Sequence, residues 1–191
     1  MVAFKPLLRF GAGTVAGACV EGLRGAGVEE IVVVVGHRAG EVRAALAGVV
    51  GVGFASNEEV GSEMGVSVAR GVEALSADAG AVLVALVDQP AVPSSAVEAL
   101  IEARRRTGAR LVVPEWEGRG GHPVLIDLGL RRELLDLVPR SGLRALFHAR
   151  RAEVLRVPAA SPFVARDMDT WEDYLALHRE VFGREPEGNR Q

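Results

Sequence analysis

The decapeptide Ala81-Val82-Leu83-Val84-Ala85-Leu86-Val87-Asp88-Gln89-Pro90 carries the strongest structural signal in this 191-residue chain. Seven apolar residues run without polar interruption, the pattern of a strand covered on both faces, as in sheets sandwiched between helices. A carboxylate, an amide and a rigid turn residue follow at once. In open α/β sheets, ligands sit beyond the carboxyl ends of the strands, so Asp88 stands where chemistry is expected. The alternative is that Asp88 only tightens the turn toward Ser94.

Further aliphatic runs alternate with segments of helical period. The strand candidates are Glu30 to Val35, Val49 to Phe54, Ala81 to Val87, Arg110 to Val113, Pro123 to Ile126 and Glu153 to Val157. Between them, Thr14 to Leu23, Gly40 to Ala47, Val66 to Leu75, Ser94 to Thr107 and Arg131 to Leu137 space their apolar residues three and four apart, as helices covering a sheet do. Trp171 to Phe182 reads as a final helix. Thr14, Ser94 and Asp169 suit N-caps, and Gly25 and Gly108 suit helix stops. The expectation is an α/β fold with a mostly parallel sheet, in one domain spanning residues 1–182, followed by a polar, frayed tail at 183–191. One element is missing from this order: the chain opens on a loop and a helix, where a strand feeding a glycine-rich turn is expected.

Composition narrows the class. With 49% hydrophobic and 25% charged residues and 23 Gly, the chain is globular, which excludes disorder and a collagen-like repeat. The net charge of −3 supplies no attraction for nucleic acid or an anionic membrane. No apolar run approaches the ~20 residues of a spanning helix, and MVAFKPLLRF lacks the form of a leader. Cys19 is the sole cysteine, so no disulfide framework exists, and a reducing cytoplasm is the expected setting. Of the 22 basic residues, only Lys5 is a lysine.

Three further segments could carry chemistry. In Arg166-Asp167-Met168-Asp169-Thr170-Trp171-Glu172-Asp173, the acidic residues suit the first turn of the last helix, where the helix dipole favours negative charge. Paired with Asp88, however, Asp169 could share a hard cation, since Mg²⁺ is commonly held by one or two carboxylates plus substrate phosphates. Glu117-Gly118-Arg119-Gly120-Gly121-His122-Pro123 is either a plain turn or a loop letting backbone approach a ligand closely. His37, His122, His148 and His178 show no metal-ligand spacing. Gly11-Ala12-Gly13-Thr14-Val15-Ala16-Gly17 lacks the preceding strand that a dinucleotide-binding loop requires, and reads as a turn and a helix start.

Taken together, Phe4-Lys5-Pro6-Leu7-Leu8 with Phe10-Gly11, Gly27 through Gly36, Asn57, Met64 to Ser67, Asp88-Gln89-Pro90, Gly121-His122-Pro123-Val124 and Asp167 through Tyr174 make the chain resemble the MobA-like nucleotidyltransferases, in particular the MocA-type molybdenum cofactor cytidylyltransferases. The resemblance spans Lys5 to Leu177. It implies a three-layer α/β/α, Rossmann-like fold of the nucleotide-diphospho-sugar transferase type. It also implies Mg²⁺-dependent transfer of a nucleotidyl group from an NTP, CTP or GTP, to a molybdopterin-type phosphorylated acceptor, with a molybdenum hydroxylase or its chaperone as a downstream partner.

By the same resemblance Lys5 falls on the lysine closing the nucleotide-binding signature, Asp88 on a metal-binding aspartate and Asp169 on the second metal ligand. Asn57, Met64, Gly65 and Ser67 fall where base and ribose are held. Gln89 and Pro90 fall beside the substrate, and Gly121 and His122 fall on the acceptor side. Two departures stand out. Only the final lysine of a signature resembling LAAGxSxRMGxxK is present, without the loop whose amides would cradle a triphosphate. In addition, Glu63 precedes Met64 where the related motif has glycine. Three readings follow: an enzyme whose natural start lies upstream, a non-catalytic binding module, or a transferase acting on a sugar or polyol phosphate.

Overall fold

The computed structural model describes residues 4–59, 61–137 and 142–186. A short hairpin, β1 (Arg9–Phe10) and β2 (Gly13–Thr14), leads into α1 (Val15–Gly25), whose first turn is capped by Thr14 Oγ1 accepting from Gly17 N at 3.1 Å. Gly11, at the turn, takes φ +61°, which suits glycine in a two-residue hairpin. Next come β3 (Ile31–Val35), α2 (Ala39–Ala45) and β4 (Val52–Ser56), a right-sized βαβ unit whose strands pair in parallel, Ile31 opposite Val52.

After α3 (Met64–Ala74) and β5 (Ala81–Val84), helix α4 (Ser94–Thr107) ends on Gly108 in the left-handed conformation. A mixed sheet follows from β6 (Leu111–Trp116), β7 (Arg119–Gly120) and β8 (Val124–Asp127), then α5 (Arg131–Leu135), α6 (Gly142–Ala149), β9 (Val154–Pro158) and α7 (Trp171–Phe182).

The strands form a five-stranded sheet in the order β5-β8-β6-β7, with β9 parallel to β6, and a separate two-stranded sheet, β3-β4. The parallel pairing expected for most of the sheet holds for β3-β4 and β6-β9. Strand β8 runs antiparallel to both β5 and β6, because it returns from β6 through β7 without a crossover helix. Helices α1 and α4 pack together on one side, and α3 packs with α5 and α6 on the other, giving the three layers. Val112 and Ile126, both fully buried, sit in the centre.

Several local expectations shift. Ser94 is not the cap of α4: Pro93 holds that position, and Ser94 Oγ instead donates to Gly22 O at 2.9 Å, tying α4 to α1. Asp169 is not the cap of α7. Thr170 and Asp173 make a reciprocal capping box there, which leaves Asp169 free for other work. Gly183 and the two residues after it, expected to fray, are tied to α7 through Gly183 N to Arg179 O, the His178 ring to Arg184 O, and the Arg179–Glu185 ion pair. Residues 187–191 of the expected tail lie outside the described residues.

One feature of the sheet positions everything else. Among the described residues β3 pairs only with β4, and β5 only with β8. Their other edges border one cavity of about 730 Å³, lined by Ile31 to Val34 on one side and Ala81 to Val87 on the other, with residues of α1 and α3 completing it. The two most apolar strands of the chain are therefore only partly buried along most of their length.

Candidate active site

Strand β5 ends at Val84, and the chain continues past Val87 into the turn Asp88-Gln89-Pro90, with Gln89 N bonded to Leu86 O. Pro90 and Gln89 are buried, and Asp88 is half-buried. Opposite them runs the segment before α7. Met168 N donates to Asp88 O at 2.9 Å, and Gln89 Nε2 donates to Asp167 Oδ1 at 2.7 Å, so the two strand-end segments are fastened to each other. Met168 is fully buried while Asp167 and Asp169 on either side are exposed, as alternation along an extended chain requires.

Lys5 enters from the other end of the sequence. Its Nζ lies 2.8 Å from Asp169 Oδ1, closing an ion pair across 164 residues; the lysine side chain is 25% exposed and the aspartate 67%. At that exposure the pair is worth little for stability, about 0–1 kcal/mol. Asp88, by contrast, is held in a costly state. One of its oxygens, Oδ1, is buried without a hydrogen-bond partner. Burial raises its pKa above the ordinary carboxylate range, and the charge of Asp167 adds to this while Lys5 opposes it. A buried carboxylate oxygen lacking a partner, beside other carboxylates and a lysine, is a group arranged for a cation or a substrate rather than for stability.

Two more segments converge on the same strand ends. Gly121 N donates to Pro114 O and His122 N to Val164 O, at 2.9 and 2.8 Å. A β-carbon on Gly121 would lie 1.8 Å from Val164 O, so only glycine permits this contact. The His122 ring places Nδ1 3.1 Å from Val84 O. A carbonyl can only accept, so Nδ1 carries the hydrogen, and in the neutral ring Nε2 is left as an acceptor.

Asn57 lies just beyond β4, where its side chain donates to Ser62 Oγ at 2.8 Å and Ser67 Oγ at 2.9 Å and accepts from Glu59 N. Ser67 and Met64 line the mouth of the central cavity together with Leu86 and Val87, and Gly65 is buried at the start of α3. Cys19 also lies beneath Asp88. Its Sγ is near Leu86 O, and burial, reinforced by the Asp88 charge, pushes its thiol up to about 12.

The structure thus brings Lys5, Asp88, Gln89 and Asp169 together, sets His122 beside β5 and Gly121 against Val164, and links Asn57 to Ser67. Sequence reasoning passed over Asp167, the carboxylate that Gln89 holds. The signal was present in the spacing of Asp167 and Asp169, which puts both on one side of an extended segment. Among the described residues no three His, Cys, Asp or Glu side chains are close enough to hold a metal ion by themselves. The donor set at Asp88 is instead of the kind that shares a hard cation with phosphate oxygens.

Carboxylates and a lysine at the strand ends of a covered α/β sheet suit a phosphate-bearing ligand held together with a cation. The model of the MobA-like NTP transferase domain matches residues 1–154, and the chain belongs to that family of nucleotidyltransferases. Among solved structures, a nucleotidyl transferase from Methanothermobacter (Mth528) is similar at 28% identity, with 95% of this chain and 86% of that one covered and a TM-score of 0.79. Rv0371c of Mycobacterium tuberculosis H37Rv, solved in complex with manganese, is similar at 29% identity over 92% of this chain and 91% of that one, with a TM-score of 0.77. Among curated proteins, the bifunctional protein GlmU of Geobacter metallireducens is 39% identical over 95 residues, 49% of this chain. The matched stretch is 20% of that relative's length.

Proposed function

We propose that this chain transfers a nucleotidyl group, CMP or GMP, from the corresponding NTP to a molybdopterin-type phosphorylated acceptor and releases pyrophosphate. In this reading it acts in the cytoplasm and hands the product to a molybdenum hydroxylase or its chaperone. The observation that carries the reading is the buried, unpartnered Oδ1 of Asp88 at a strand end facing the Lys5–Asp169 pair.

In this reaction an oxygen of the acceptor phosphate forms a bond to the α-phosphorus of the NTP, and the bond from that phosphorus to the bridging oxygen of the β-phosphate breaks. Such transfers are driven by positioning and by neutralising charge, so no covalent nucleophile of the protein is called for. Asp88 and Asp169 are the residues that would hold Mg²⁺, which when bound neutralises the phosphate oxygens. Lys5, exchanging its aspartate for phosphate, neutralises charge on the departing pyrophosphate. Asn57, with Met64, Gly65 and Ser67, forms the base and ribose side. Gln89 and Pro90 fix the turn that carries Asp88, and Gly121 and His122 face the acceptor.

The test is pyrophosphate release from each NTP in turn, with Mg²⁺ and a molybdopterin acceptor, for the chain and for its Asp88→Ala variant. The proposal expects release with one NTP and its loss in the variant. Nucleotide binding without pyrophosphate release from any NTP would support the second reading, a non-catalytic binding module, which the divided sheet beside the site favours.

A further inference from the structure

Gln89 is 6% exposed, and its side chain makes a single hydrogen bond among the described residues. Nε2 donates to Asp167 Oδ1 at 2.7 Å, while Oε1 is buried without a partner. A buried amide with an orphaned oxygen costs stability that a methionine of similar size would not. Stability alone therefore does not account for glutamine at this position.

What the bond achieves is geometric. Asp88 stands on the turn after β5 and Asp169 on the extended segment before α7, and two ties cross between them: Met168 N to Asp88 O at 2.9 Å, and Gln89 Nε2 to Asp167 Oδ1. A lone backbone bond would leave the segment free to pivot about it. The second tie, one residue away, removes that freedom. The Asp169 carboxylate is bonded to Lys5, a flexible side chain that the proposed reaction draws away to phosphate. Where Asp169 then stands depends on the segment that carries it.

We propose that Asp167 is a positioning residue: through Gln89 it locks the Asp169 segment against the Asp88 turn, and so raises the selectivity of that carboxylate pair toward a small divalent cation. The inference rests on the proposed reading, in which Asp88 and Asp169 share Mg²⁺. Mg²⁺ demands near-octahedral ligands at about 2.0–2.1 Å, whereas Ca²⁺ accepts irregular sets at about 2.3–2.6 Å, so a rigid pair discriminates between them better than a pivoting one. The charge of Asp167 is also felt at Asp88, after the larger effect of burial, but that charge attracts every divalent cation alike. Selectivity by size, rather than affinity, is the property that belongs to the clamp.

The probe is Mn²⁺, its free concentration read by electron paramagnetic resonance with the whole chain and no nucleotide, and Mg²⁺ or Ca²⁺ is added to displace it. Asp88→Ala should abolish Mn²⁺ binding. Gln89→Met and Asp167→Ala should each lower the ratio of Mg²⁺ to Ca²⁺ affinity about tenfold. Asp167→Asn, whose amide oxygen still accepts from Gln89, should weaken both cations and keep the ratio of the parent. The double variant, Gln89→Met with Asp167→Ala, should shift the ratio no further than either change alone, because both remove the same tie. In Gln89→Met the Met168 amide should exchange faster, while urea stability stays equal to or above that of the parent. No Mn²⁺ binding by the parent, or binding undiminished in Asp88→Ala, refutes the cation site and this inference with it. With the cation site upheld, the clamp alone is overturned by an unchanged ratio in Gln89→Met or Asp167→Ala, a lowered ratio in Asp167→Asn, additive shifts in the double variant, or unchanged exchange at Met168. If Gln89→Met does not fold, the comparison of Asp167→Ala with Asp167→Asn, at an exposed residue, decides alone.

Discussion

Replacing Gly121 by alanine tests how the site is strapped together. The new β-carbon would stand 1.8 Å from Val164 O and 2.5 Å from the Val164 carbonyl carbon, both backbone atoms that no rotamer change can move aside. An ordinary carbon–oxygen contact lies beyond 3 Å, so one of the two segments must shift by well over 1 Å. The shift breaks the 2.8 Å bond from His122 N to Val164 O and leaves a partly buried donor unsatisfied, at about 1–3 kcal/mol. Overpacking adds about 1–3 kcal/mol. The sum centres near 4 kcal/mol, which for a chain of this size lowers Tm by roughly 8–16 °C. Thermal and urea unfolding of Gly121→Ala should show this loss. Because the displaced segment leads directly to Asp167 and Asp169, turnover of the surviving folded protein should fall as well. A variant within about 1 kcal/mol of the parent would refute the reasoning, since it would mean that Val164 and Gly121 are not in contact as described.

Other changes separate stability from chemistry. Asp88→Asn removes a charge that burial and Asp167 disfavour, so at pH 7 it should unfold at higher urea than the parent, by up to about 1 kcal/mol, while Mg²⁺-dependent pyrophosphate release falls more than about 100-fold. The stability advantage should shrink as pH falls through the carboxylate range, because protonation of the raised Asp88 relieves the same penalty in the parent; an advantage that grows toward acid pH would contradict this sign. Lys5→Met should change stability by less than about 1 kcal/mol, judged by urea melts, yet cost turnover. Cys19, partly buried with its thiol pushed up to about 12, should react with a thiol reagent at pH 8 more than about 100-fold more slowly in the folded chain than in guanidinium; equal rates would mean that its thiol is not raised by its surroundings beside Asp88. Thr170→Ala should cost about 1 kcal/mol through loss of the capping box of α7, read as a drop in Tm.

Helices Ser94–Thr107 and Trp171–Phe182 were legible to the residue because each combines an apolar stripe with a stop that glycine makes local: Gly108 and Gly183 both turn left-handed. Helix α6 escaped notice. It buries only the pair Leu143 and Leu146. Strand Ala81 to Val87 shortens to Ala81–Val84, since pairing with β8 ends at Val84, and hydropathy alone cannot register where a partner stops. Among site residues, Asp88 could be found because strand-end position is a local property. That Asp167 rather than Asp169 bonds Gln89, and that Asp169 turns to Lys5, depends on contacts spanning 78 and 164 residues, which no local pattern encodes.

The N-terminal hairpin has a consequence for how the protein is made. Tyr174 O–H donates to Arg9 O at 2.7 Å, Gly11 N donates to His178 Nε2 at 3.4 Å, and Leu8, Phe10 and Val15 share one buried cluster with Met168, Tyr174 and Leu177. The hairpin thus finds packing partners not only in the neighbouring α1 but also in elements more than 150 residues further along the chain. At roughly 5–20 residues per second, Phe10 waits on the order of 10–30 s for α7, with its apolar face uncovered. Lys5 meets Asp169 only then, so the charged site is completed only once the segment leading into α7 has been made, and a nascent chain lacking α7 should engage chaperones through the hairpin.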